Sequence, residues 1–165
     1  MTKLKRTYDR PKNIRVTVAC LPDAEKDVRQ MFFDCLNDYS KRFKVPITDK
    51  KFVVHICLVE YEESCNEQGL TIYNDVDRRI LIQLRDPLLN EWSPNHYVMD
   101  KFINILAHEI VHACQYLCNR KIPKFNKLNY DKKDLKEQYF FDPSEMEARM
   151  LEAPYTSFYG SILNE

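Results

Sequence analysis

His108-Glu109-Ile110-Val111-His112 is the stretch from which the rest of the chain is best read. On an α-helix, residues four apart lie one turn apart on one face, so both imidazoles can reach a single metal ion. Glu109 sits beside them, within reach of a water in the ion's open position. The flanks support a helix that is mostly buried: Ile105, Leu106 and Ala107 precede the motif, Ala113 and Cys114 follow it, and Glu109 is the one charge among them. A surface helix would carry Lys or Glu in those slots.

Outward from the motif, Ser93-Pro94 marks a helix start and the helix is expected to run to about Asn119. Met99, Ile103, Leu106, Ile110, Ala113 and Leu117 make one apolar stripe, while Ile105, His108, His112 and Gln115 make another face. The helix should therefore bury one side and line a site with the other. Upstream, Ile14, Val16, Val18 and Cys20 alternate as a first strand. Pro22-Asp23 opens a helix with Val28, Met31, Phe32, Cys35, Leu36, Tyr39 and Phe43 at helical spacing, and Pro46 closes that region. Phe52 to Val59 is apolar on both faces apart from His55, as in a central strand covered on two sides. A lone histidine there reads as a core residue with a hydrogen-bond partner. Residues 70–73 and 79–84 flank Asn74-Asp75-Val76-Asp77 as a hairpin. A final helix begins at Asp142-Pro143 and is expected to end by Pro154. The fold class is α+β, in one domain spanning 1–165, with a basic arm at 1–13 and a loop insertion at 120–142.

Composition narrows the function. Hydrophobic residues make up 44% of the chain, enough for a core without staples. Basic and acidic residues cancel, 25 against 25, but Lys3, Lys5, Arg6, Arg10, Lys12 and Arg15 crowd one end and residues 120–136 form a second basic stretch. Such runs can touch nucleic acid, though solvated surface explains them more simply. The six cysteines form no CxxC pair, which argues against a zinc ribbon or a thioredoxin-type site. Two glycines exclude a glycine-rich phosphate loop. No signal-like or membrane-spanning run is visible, so the expectation is a cytoplasmic, reduced protein with no membrane partner.

A metal site of this type takes three protein ligands and leaves one position for water. Gln115 and Cys118 stand where a HExxHxxGxxH pattern needs Gly and His, and no histidine follows His112. A carboxylate is left, and the candidate segment is Asp142-Pro143-Ser144-Glu145-Met146-Glu147-Ala148-Arg149. With Asp142 as N-cap and Pro143 first in the helix, Glu145 falls at the capping-box position, pairs with Arg149 four residues on and shares its face with Glu152, which describes a solvated edge. Glu147 lies about 200° away around the helix, beside Met150 and Leu151. A carboxylate on an apolar face is costly unless a cation meets it, so Glu147 is the chosen third ligand and Glu145 the fallback. The small Ala148 would let this helix approach the first closely.

His108-Glu109-Ile110-Val111-His112-Ala113-Cys114-Gln115, followed by Pro143-Ser144-Glu145-Met146-Glu147-Ala148-Arg149, resembles small gluzincin-type metallopeptidases. It is particularly similar to the short ones common in phage and other mobile elements, with HExxHxxQ and PxExEA segments. The resemblance covers residues 105–116 and 142–152, and it departs in the 34 residues that separate His112 from Glu147. It implies a zincin-like fold, a small mixed or antiparallel sheet packed on the HExxH helix, and one Zn²⁺ per chain. It also implies hydrolysis of peptide bonds in a protein or peptide substrate. His108, His112 and Glu147 would hold the zinc, and Glu109 would act as general base toward a metal-activated water. Tyr130, Tyr139 and Tyr155 are candidates to stabilise the oxyanion. The Arg79–Leu84 strand would be the sheet edge above the cleft. The competing reading is a nucleic-acid-associated or binding protein in which the metal site is secondary or non-catalytic.

Overall fold

The structure, a computed structural model, describes residues 10–19, 24–59, 68–84, 96–122 and 140–163. Most of the basic arm and most of the 120–142 insertion, including Tyr130 and Tyr139, lie outside the described residues. Those that are described form an α+β unit of four strands and three helices: β1 (Ile14–Ala19), α1 (Glu25–Phe43), β2 (Phe52–Leu58), β3 (Gly69–Asn74), β4 (Arg79–Leu84), α2 (His96–Leu117) and α3 (Pro143–Leu163).

The sheet is mixed, in the order β1-β2-β4-β3. β1, β2 and β4 run parallel, while β3 returns antiparallel to β4 through the hairpin. Asn74 Oδ1 accepts from the backbone N–H groups of Val76 and Asp77, which tightens that turn, and Arg78 takes the left-handed conformation. Period-two alternation sends Ile14 and Val16, then Phe52, Val54 and Ile56, then Ile80, Ile82 and Leu84 to one face, where all are buried. The three helices supply the other half of this core through Met31, Phe32 and Leu36, Leu106 and Ile110, and Ala148 and Leu151.

β2 is central as its composition suggests, but only one of its faces is deeply buried. Val53 keeps 38% exposure, and no described helix packs on that side. His55 lies there, 2.6 Å from the hydroxyl of its cross-strand partner Thr17, so it is a hydrogen-bonded residue of the sheet. The edge is also not where the sequence placed it. β4 is flanked on both sides, and among the described residues β3 forms the edge on the α2 side.

Two helix ends have local causes that matter for the site. Lys44 and Asn119 each adopt positive φ just past α1 and α2. In both cases the next residue's N–H reaches back five residues, Val45 to Ser40 and Arg120 to Gln115, the double-bonded stop that satisfies orphan carbonyls. The second of these folds Arg120 back against its own helix. α3, in contrast, does not stop at Pro154 but continues to Leu163. A helical proline forfeits one backbone bond, here to the carbonyl of Met150. Met150 is 60% exposed, so water can serve that carbonyl, while the burial of Tyr155 and its hydrogen bond to Asp38 anchor the turn beyond.

Candidate metal centre and cleft

α2 is clamped between the sheet and α3, and its two polar faces meet different neighbours. On the α3 side, His108 and His112 present their Nε2 atoms 3.3 Å apart. The carboxylate of Glu145, from the first turn of α3, spans them: Oε2 is 2.9 Å from His108 Nε2 and Oε1 is 3.1 Å from His112 Nε2. One ligand atom from each of the three lies within 4.8 Å of the others, a cluster that could hold a metal ion.

Glu147, expected as the third ligand, is not in this cluster; Glu145 takes that place. Asp142 does cap α3, but it accepts from the N–H and hydroxyl of Ser144. Glu145 does not pair with Arg149, whose guanidinium donates to the Phe140 carbonyl and lies 4.3 Å from that ring's centre. The edge of α3 read as solvated is the face turned to the histidines, and Glu152, two turns beyond Glu145, belongs to it too. Glu147 is mostly shielded, its side chain 10% exposed, but the groups that meet it are the Tyr39 hydroxyl, the Arg120 guanidinium at 3.4 Å and the Gln115 amide at 3.4 Å.

Each histidine is also held from behind. His108 Nδ1 lies 2.9 Å from Glu152 Oε2, and His112 Nδ1 lies 2.9 Å from Gln115 Oε1. An acceptor at Nδ1 fixes each ring with Nε2 pointing into the cluster, the orientation typical of metal-bound imidazole. The sequence places Glu152 on the Glu145 face of α3 and Gln115 on the histidine face of α2, but assigns neither a part in holding the imidazoles.

The electrostatics follow from these contacts. Burial works against a charge on His108, but its bonds to Glu145 and Glu152 outweigh that and lift it to about 9. His112 is raised as well, with burial opposed and overcome chiefly by Glu145. Burial alone would raise Glu145, yet the two imidazoles hold it well below the usual carboxylate range.

On the sheet side, Glu109 meets β3 and lines the same cleft as His112 and Glu145. It is only 6% exposed, and burial pushes its carboxyl up against the opposing pull of Thr71 and both histidines. The Thr71 hydroxyl lies 2.6 Å from Glu109 Oε2. Gly69 makes this approach feasible. A Cβ there would lie 2.7 Å from Glu109 Oε1, 2.8 Å from its Cγ and 2.9 Å from Ile105 Cγ2. Gly69, Thr71 and Tyr73 share the inward face of β3. They form one wall of a cleft of about 380 Å³ that Glu109, His112 and Glu145 also line. At its far end Tyr73 stacks on Tyr116, with ring centres 4.1 Å apart. Tyr155 takes no part: it is fully buried, with its hydroxyl 2.9 Å from Asp38 Oδ2.

Compared with protein-family models, with curated proteins and with solved structures, the chain matches none. Among the described residues, no helix is long and apolar enough to cross a membrane.

Proposed function

We propose that the chain is a zinc-dependent peptidase of zincin-like fold, acting on a protein or peptide, with His108, His112 and Glu145 as metal ligands and Glu109 as general base. The observation that carries this reading is the separation of roles within one helical turn. Two imidazoles and a carboxylate converge on one point, and a second buried carboxylate stands beside them without joining them. Two nitrogens and one oxygen are a donor set that suits zinc and leaves a fourth position open. Donors bound at about 2.0–2.1 Å in a tetrahedron lie about 3.3–3.4 Å apart. The 3.3 Å between the two Nε2 atoms meets that spacing, and the Glu145 contacts need to open by only a few tenths of an ångström.

Zinc held there supplies the Lewis acidity that activates water and polarises a carbonyl. The rest falls to the chain. Glu109 accepts the proton of the attacking water and delivers it to the departing amine. Thr71 orients that carboxylate, and burial brings its pKa upward, nearer the range useful to a base at neutral pH. The substrate backbone lies along the cleft wall, where the β3 edge, unpaired among the described residues, offers strand pairing to an extended peptide.

Glu109→Gln tests the reading. The amide keeps the shape but cannot take the proton. The variant should retain one zinc per chain while its cleavage of a peptide library, followed by mass spectrometry, falls by about 10²–10⁴-fold. Undiminished cleavage by the variant would remove Glu109 from the mechanism.

A further inference from the structure

The cleft does not end at the metal centre. α2 and β3 continue beside each other past it, and each places an aromatic ring there. We propose that Tyr73 and Tyr116 form a specificity subsite that takes an aromatic side chain of the substrate, two residues along the peptide from the one that faces Thr71.

Tyr116 follows His112 by four residues, one turn or about 6 Å along α2. Tyr73 follows Thr71 by two residues, about 7 Å along β3 and on the same face. The two steps end at one place, where the rings stack with centres 4.1 Å apart and planes 26° apart. Tyr116 is the inner ring, and the buried Phe52 meets it edge to face at 5.9 Å. Tyr73 is the outer ring and keeps 55% exposure. Both line the cleft together with Glu109 and His112.

An extended peptide paired with β3 turns every second side chain toward α2, a repeat of about 7 Å. That repeat matches the step from Thr71 to the ring pair. A side chain delivered there meets a flat wall backed by the core. Another ring can cover such a wall by offset or edge-to-face contact, which gains more than its buried area alone. A guanidinium or ammonium could also lie on tyrosine, but Arg120, just past the end of α2, lines the same cleft and repels it. The side chains that fit are therefore the neutral rings of Phe, Tyr and Trp.

The subsite rests on the proposed peptidase reading, so binding is measured apart from turnover. A degenerate dodecapeptide library is passed over immobilised full-length Glu109→Gln in the presence of zinc, and the retained peptides are sequenced. Wild type digests the same library, and its cut sites are read by mass spectrometry. Phe, Tyr and Trp should be enriched about 10-fold among retained peptides, and at one fixed position near the cut in the digest. Tyr73→Ala, added to Glu109→Gln, should remove the enrichment, and Tyr73→Phe should keep it. Tyr116→Leu should also remove it; if that variant does not fold, the two Tyr73 variants decide. The proposal is overturned if nothing is retained, if arginine is enriched instead, or if aromatic enrichment survives Tyr73→Ala. Aromatic retention with no cutting by wild type would refute the peptidase reading and leave the subsite standing. Cutting with no aromatic preference would do the reverse.

Discussion

Glu145 and Glu147 differ by two positions, hence by about 200° around the helix, and the choice between them shows what residue-level reasoning can reach. The histidine pair and Glu109 were legible because their spacing alone brings them together. The third carboxylate was not. The argument that a buried carboxylate needs a cation holds for Glu147, but the cation is the Arg120 guanidinium. Arg120 precedes it by 27 residues and arrives through a left-handed Asn119, which no spacing rule reveals. Glu145 looked solvated because Arg149 stood four residues on, yet Arg149 is occupied by Phe140. One prediction belongs at this scale. With metal removed, His108 titrates near 9, against 6.5 for an unperturbed imidazole. A raised folded-state value means that its contribution to stability is complete below about pH 6.5 and is lost as pH rises through about 9. Zinc requires the neutral ring, so its affinity should climb over the same interval. Thermal melts of stripped protein and zinc titrations at pH 6.5 and 9 check both trends, and a pH-independent affinity would contradict them.

At the scale of elements, the order and most boundaries followed from periodicity and from proline and turn signals. Two features did not. α3 passes through Pro154 because tertiary burial of Tyr155 outweighs one lost backbone bond on an exposed face. Among the described residues β3 is the edge strand beside α2, although β4 carries the stronger apolar alternation. That alternation reflects burial between β2 and β3, since an edge strand can remain more polar. The informative residue in β3 was Gly69, one of only two glycines in the chain, which brings the strand close to Glu109. Gly69→Ala should force apart β3 and α2 or displace the Glu109 side chain, at a stability cost of about 1–3 kcal/mol. Hydrolysis should fall with it while zinc remains bound, because a Cβ at Gly69 would meet Glu109 and Ile105 and none of the three ligand side chains. Urea unfolding, zinc stoichiometry and cleavage rate measured on one preparation would separate the two effects. Wild-type values for both stability and cleavage would mean that the close approach is not needed.

For the whole molecule, the α+β class was readable from the alternation of strand and helix periods, but the layering was not. The sheet is deeply buried on one face only, and α2 lies between that face and α3. The cluster therefore bridges α2 and α3, and bound metal should tie these two helices together. Chelation should lower the melting temperature, because a ligand bound to the native state stabilises it by mass action. Zinc added back should restore it in a concentration-dependent way. A melting temperature indifferent to chelator would deny the cluster any part in holding the helices.

The most direct measurement is a zinc equilibrium titration of Glu145→Gln beside Glu147→Gln, each with wild type as reference and circular dichroism to confirm folding. The geometry predicts one zinc per chain for wild type and for Glu147→Gln, and severe loss of binding for Glu145→Gln. Retained zinc in Glu145→Gln, with loss in Glu147→Gln, would contradict the assignment of His108, His112 and Glu145 as the metal centre.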